Sequence, residues 1–194
     1  MAVYNDMDLL PGAVKSLKDL DRIVIVDGAV GSEAEEGPST DGTIEYVMKL
    51  ADEDDRVTVV ESGAKPWEDK IAKRNQYLLG HEGDWYFVLE PFERAYGLSE
   101  LKWFLPQAEP DVFSIQYLPQ PWAEEPLLLQ RLFRHLPGMK YEGTPDKVVA
   151  GEKVIVDPSQ SVAYLTDQDP LISPRIVSVM HKRLKGRQQR QSLL

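Results

Sequence analysis

The chain contains no cysteine, which excludes a disulfide framework and any thiolate metal site. No apolar run approaches the roughly 20 residues that a membrane-spanning helix needs. The N-terminus lacks the basic-then-apolar pattern of a signal peptide. These absences set the expectation of a cytoplasmic protein. Neither G-x-G-x-x-G nor the P-loop pattern occurs, so neither a dinucleotide fold nor a P-loop enzyme is indicated. Internal repeats and low-complexity linkers are absent as well.

Basic residues are scarce, 22 Lys and Arg against 32 Asp and Glu, for a net charge of −10. Six of those bases lie between Arg175 and the end, where there is no acid, so the preceding 174 residues carry −16. An acidic body is a poor electrostatic partner for nucleic acid. The basic tail (Lys182, Arg183, Lys185, Arg187, Arg190) has two readings. It is either a peripheral contact with an anionic membrane surface or a solvated helix end, where cations are favoured.

What is present is an ordinary globular composition, 42% hydrophobic and 28% charged over 194 residues, enough for one domain with a sizeable core. Its most telling stretch is Asp84–Glu90, nearly all apolar or aromatic and continuing into Pro91-Phe92-Glu93-Arg94. It reads as a strand buried on both faces in the middle of a helix-covered sheet. In open α/β sheets ligands sit beyond the carboxyl ends of the strands. Glu90 and Glu93 are therefore either metal- or phosphate-handling groups or ordinary loop acids.

Upstream, Met1–Tyr4 reads as a short strand, followed by a helix with Asp8 as N-cap and Leu10, Ala13, Val14, Leu17 and Leu20 at helical spacing. Arg22–Val26 and Arg56–Val60 are β-branched runs of strand length. Residues 29–38 read as a loop. Ser39–Thr43 looks like a helix start, and a further helix runs from about Pro66 to Leu79. Four strand–helix alternations predict a parallel, Rossmann-like sheet. Downstream, Leu98–Leu105 reads as a short helix and Asp111–Leu118 as a half-exposed strand. Short strands follow at Arg131–Arg134, Lys147–Val149, Lys153–Val156 and Ser161–Tyr164. From Pro170 the spacing of Ile172, Ile176, Val179 or Met180, and Leu184 predicts a helix.

Several motifs stand in a familiar order: Val3-Tyr-Asn-Asp6, Ile-Val-Ile-Val-Asp27-Gly, Ser39-Thr-Asp-Gly-Thr43, Lys73-Arg74-Asn75 and Gly83-Asp84-Trp85. Gln130-Arg-Leu-Phe-Arg134 and Gly138-Met-Lys-Tyr-Glu-Gly143 follow. Together, over about residues 3–149, they resemble family 2 glycosyltransferases. The resemblance implies an α/β fold of GT-A type, with a Rossmann-like, mostly parallel central sheet flanked by helices and a smaller mixed acceptor-side region. Residues 1–105 would be the nucleotide-sugar half, 106–169 the acceptor half and 170–194 a basic C-terminal helix and tail.

The implied reaction moves a sugar from a UDP- or GDP-sugar to an acceptor hydroxyl (glycan, lipid-linked or protein), assisted by Mn²⁺ or Mg²⁺, with inversion. Tyr4, Asn5 and Asp6, with Val3 and Leu89 flanking, would line the base and ribose pocket. Asp27 would accept a hydrogen bond from the base, or else simply cap the turn at Gly28. Arg74 would meet the pyrophosphate, or else lie on a solvated helix face. Trp67 packs under its helix.

The chain departs from the family where the central strand ends. The acid-x-acid pair becomes Leu89-Glu90-Pro91-Phe92-Glu93, with Phe92 in place of the second acid. Glu90, Glu93 and Asp146 are the implied metal ligands, Asp146 standing where relatives often carry histidine. Glu124, Glu125 and Asp146 are the candidate general bases, and Trp122 is an aromatic that could stack on a sugar. Two other classes share this layout: a nucleotide-sugar-binding protein that has lost the chemistry, and a sugar nucleotidyltransferase that would release pyrophosphate.

Overall fold

The computed structural model describes residues 1–31, 37–79, 83–118, 127–158 and 178–181. Within them, β1 (Ala2–Val3), β2 (Ile23–Asp27) and β3 (Val57–Glu61) form a three-stranded parallel sheet in that order. Strand β2 shows why it takes this place. Its residues are apolar on both sides, Ile23 and Ile25 facing one core and Val26 the other, which suits a strand covered on both faces. Helix α1 (Leu10–Ser16) crosses back from β1, and α2 (Thr43–Glu53) from β2. Asp8 does not cap α1: the backbone carbonyl of Asp6 accepts from Leu9 and Leu10 instead. At α2, Asp41 accepts from both the backbone N–H and the hydroxyl of Thr43.

After β3 comes α3 (Lys70–Asn75), capped by the Asp69 side chain accepting from the Ala72 N–H at 2.6 Å. The expected central strand follows as β4 (Trp85–Phe87), and here the structure corrects the sequence expectation. β4 is short and half-buried, and pairs antiparallel with a later strand, not with the parallel sheet. It is one edge of a mixed five-stranded sheet, ordered β4-β7-β6-β11-β5. The other members are β5 (Glu93–Tyr96), β6 (Val112–Leu118), β7 (Leu127–Arg134) and β11 (Ser178–His181). The β4/β7, β7/β6 and β11/β5 pairs are antiparallel and β6/β11 is parallel. The fold is thus mixed α/β, and parallel pairing dominates only its first three strands.

The helix expected from Pro170 is also corrected where the structure describes it, since Ser178–His181 is a strand clamped between β5 and β6. Three of its four residues, Ser178, Val179 and Met180, gain ladder partners on both sides there, and that outweighs the local helical spacing. The strand expected at Ser161–Tyr164 lies outside the described residues. Helix α4 (Leu98–Phe104) occupies the expected place. A small antiparallel sheet, β8 (Met139–Tyr141), β9 (Val148–Ala150) and β10 (Lys153–Val156), lies between β7 and β11 in sequence.

The layers share two cores. One joins Leu10, Ile25, Val47, Leu89, Leu98 and Phe113, so α1, α2 and α4 cover one side of the strands. The other joins Val26, Tyr77, Phe133, Tyr141 and Val148, so the α3 region and the β8–β10 sheet cover the opposite side. Among the described residues no helix is long and apolar enough to cross a membrane.

Candidate functional site

The carboxyl ends of β1 and β2 are stitched together by polar side chains. Asn5, at φ 51°, puts its backbone N–H on the Ser39 hydroxyl, and its side-chain oxygen accepts from the Thr40 N–H. The Asp6 N–H donates to the Thr43 hydroxyl at 2.9 Å, and the Tyr4 N–H to the Asp6 carboxylate. Asp27 is wholly buried, with one oxygen accepting from the Ser39 N–H and the other from its hydroxyl. Its carboxylate is spent on that loop in this structure. Gly28 follows at φ 128°, where a Cβ would collide with Ser62 and the Trp67 indole nitrogen. Trp67, in turn, donates that N–H to the Asp27 carbonyl at 2.8 Å. Val3 and Leu89 are core residues, 1% and 2% exposed, so only their backbone can face a ligand. Tyr4, by contrast, is exposed at the sheet edge.

Lys73 and Arg74, adjacent on α3, leave the helix in different directions. The Lys73 ammonium is buried and donates to the carbonyls of Val3 at 2.7 Å and Gly28 at 2.5 Å. Burial pulls its pKa down to about 8, against the opposing pull of Asp27, Asp6 and Glu90. Sequence reasoning placed Lys73 in a motif without a role; its helix position beside Arg74 was the available signal.

The Arg74 guanidinium bridges two segments. One nitrogen donates to Glu90 Oε1 at 2.7 Å, and the other to Asp146 Oδ1 at 2.5 Å and to the Pro145 carbonyl at 2.7 Å. Its carbon lies 5.9 Å from the centre of the Tyr141 ring. Burial alone would lower its pKa, but Tyr77, Glu90 and Asp146 together raise it, so the group is a fixed cation. Arg74, Glu90, Gln130, Arg131, Tyr141 and Asp146 are among the residues around a cleft of about 210 Å³.

Glu93 is separate from this bridge. It has no exposure, and one oxygen accepts from the Glu90 N–H at 2.8 Å and from the Arg131 guanidinium. The other oxygen is buried without a hydrogen-bond partner. Burial raises the Glu93 pKa, and Arg131 opposes the rise. The Arg131 partnership was not visible in sequence, because 38 residues separate the two. Glu124 and Glu125 lie outside the described residues.

The structure thus gathers Glu90, Asp146 and Arg74 at one point, with Asn5 and Asp6 at the neighbouring strand end. As ligands for Mn²⁺ or Mg²⁺ the three acids do not fit. Glu90 and Asp146 already share one guanidinium, and Glu93 is turned into the core. Among the described residues no group of three or more His, Asp or Glu side chains comes together in a way that could hold a metal ion.

A larger cavity of about 980 Å³ opens at the other end of the strands, between the start of β2, β4 and α4. It takes in Gly83–Val88 of the stretch that stood out in the sequence, but none of the candidate site residues named there. Size favours it, and charged groups line both, Asp21, Arg22, Asp84, Lys102 and Arg134 here; what sets the smaller cleft apart is one partly buried guanidinium, Arg74, shared by two candidate acids.

No family model matches the chain, and no curated protein matches it. A crystal structure of S. aureus TarS, a glycosyltransferase, is similar with a TM-score of 0.48 and 18% identity, covering 75% of this chain and 24% of that one. The chain therefore spans about a quarter of that chain's length. A likeness of this size assigns neither family nor activity.

Proposed function

We propose that the chain binds a nucleoside-diphosphate sugar across the carboxyl ends of β1 and β2 and transfers the sugar to an acceptor hydroxyl. The observation that carries this reading is the position of Arg74. It leaves α3 next to Lys73, whose ammonium reaches the Val3 carbonyl at the end of β1, and it carries a permanent charge and a fork of donors suited to a diphosphate. That is where the motif order in the sequence expects the pyrophosphate. Tyr4, exposed at the same edge, offers a ring to a base.

In the reaction so proposed, the acceptor oxygen forms a bond to the anomeric carbon as the bond to the diphosphate breaks. A carboxylate of the acceptor side takes the hydroxyl proton, and the diphosphate leaves with the electron pair. Arg74 offsets the charge gathering on the leaving group. Glu124, Glu125 and Asp146 remain the candidates for the base, and Asp146 can serve only once it is released from Arg74.

A specific observation favours a second reading, a nucleotide-sugar-binding protein without turnover. The acid pair is broken by Phe92, and Glu93 is sealed inside by Arg131. Calorimetric titration of UDP, GDP and their sugars tests the first step of both readings. One of them should bind, and Arg74→Ala should weaken that binding by about tenfold or more. A donor-hydrolysis assay then divides transferase from binder. Absence of binding by all of them would sink both.

A further inference from the structure

The cleft raises a question of its own: which cation it uses. The acids that could ligate a divalent ion are each committed. Glu90 and Asp146 lie 2.7 Å and 2.5 Å from two nitrogens of the same guanidinium. Glu93 points inward and is held by Arg131 and the Glu90 N–H. Phe92, where a second acid would stand, has no side-chain oxygen to offer.

Two cations held at the cleft, Arg74 and Lys73, oppose a further charge of +2. The Lys73 ammonium is pinned to the Val3 and Gly28 carbonyls, close enough to feel both Glu90 and Arg74. An incoming Mg²⁺ or Mn²⁺ would have to expel the guanidinium from both carboxylates and then sit near it and Lys73. Mg²⁺ also gives up its water reluctantly and demands octahedral oxygen geometry. Arg74 loses little by staying. It is anchored by Glu90, Asp146 and the Pro145 carbonyl, lies over the Tyr141 ring and has a side chain only 17% exposed.

We infer that the Arg74 guanidinium occupies the cation position between Glu90 and Asp146, so that the chain holds no divalent ion there. Any diphosphate that enters the cleft meets arginine in place of metal. The inference concerns the same cleft as the transfer reading, and its main test uses metal without nucleotide, so the two can fail separately.

Mn²⁺ is titrated into the full chain and free ion is followed by its paramagnetic resonance signal. Wild type is expected to take up none stoichiometrically. Arg74→Met leaves two unpaired carboxylates side by side and is expected to gain one Mn²⁺ per chain, a gain abolished by adding Asp146→Asn. Arg74→Gln, which removes the charge but keeps a polar side chain, is the alternative should Arg74→Met fail to fold.

Uptake of one Mn²⁺ per chain by wild type, lost in Glu90→Gln, overturns the inference. Folded Arg74 variants that ignore Mn²⁺ as completely as wild type overturn the stand-in role of the arginine. UDP or GDP affinity should stay within about twofold between chelator and excess Mn²⁺, and a metal-dependent rise beyond that also overturns it. If no nucleotide binds, the transfer reading fails while the Mn²⁺ result still decides this one.

Discussion

Two arginines hold carboxylates at neighbouring points of the molecule, and the two arrangements differ in kind. Around Arg131 the carboxylate partner, Glu93, has a side chain with no exposure. Around Arg74 the partners are Glu90 at 18% and Asp146 at 65%. The same pair of chemical groups therefore does different work. A fully buried carboxylate cannot exchange its partner for water or ligand, so Arg131–Glu93 is a peg between β7 and the start of β5. A half-open one can, so Arg74 is positioned to trade a carboxylate for a phosphate. Exposure of the acid, more than the presence of the arginine, separates structure from site.

The sharpest way to break this comparison is Arg131→Met. It strands a buried carboxylate and is expected to cost ~3–5 kcal/mol in urea unfolding. Adding Glu93→Gln should recover much of that loss, since no buried charge then lacks a partner. If Arg131→Met costs no more than a surface change, the peg is not a peg. Arg74→Ala is expected to cost less, ~1 kcal/mol, because Asp146 and part of Glu90 can turn to water. Its main effect should appear in nucleotide affinity. Equal destabilisation by the two variants would erase the distinction.

A further expected effect concerns Lys73, which lies deeper than Arg74 and faces Asp27, Asp6, Glu90 and Arg74. Its ammonium keeps its proton up to about 8 in the native chain and to 10.5 when unfolded. Between those values the unfolded chain binds more protons, so stability should rise with pH. From 10.0 upward an opposing contribution enters, because burial pushes Tyr141 up to about 12 and the native chain keeps a proton that the unfolded one loses; once the Lys73 contribution is exhausted near 10.5, stability falls. Unfolding measured across alkaline pH should show stability rising and then falling. Lys73→Met should remove the rise and leave the fall.

Much of the first half was legible because its signals are local. Ile23–Asp27 and Val57–Glu61 are β-branched runs, and Asp41 and Thr43 advertise the start of α2. Trp85–Phe87 was legible as a strand, but its partner was not. Pairing with β7 depends on residues 45 to 49 positions downstream, Trp85 lying opposite Arg134 and Phe87 opposite Leu132, and apolar content cannot tell an edge in a mixed sheet from the centre of a parallel one. Glu93–Tyr96 was missed as a strand for the same reason, since β11 supplies its ladder from the far end of the chain. At the candidate site, Arg74, Glu90 and Asp146 were visible in the sequence as candidates. That one guanidinium would hold both acids was not, because the contact to Asp146 spans 72 residues.

The hydrogen bonds of Lys73 also bear on how the molecule assembles in time. A single ammonium closes loops of 70 and 45 residues to reach Val3 and Gly28, and its neighbour Arg74 reaches 71 residues forward to Pro145. Chain entropy opposes such closures, and topologies rich in them fold slowly. On the ribosome, β1, β2 and β3 emerge well before the β8–β9 loop that completes the cleft. The end of the sheet that would receive a ligand is thus among the last parts of the chain to be finished, and a ligand bound there would lock together segments synthesised far apart.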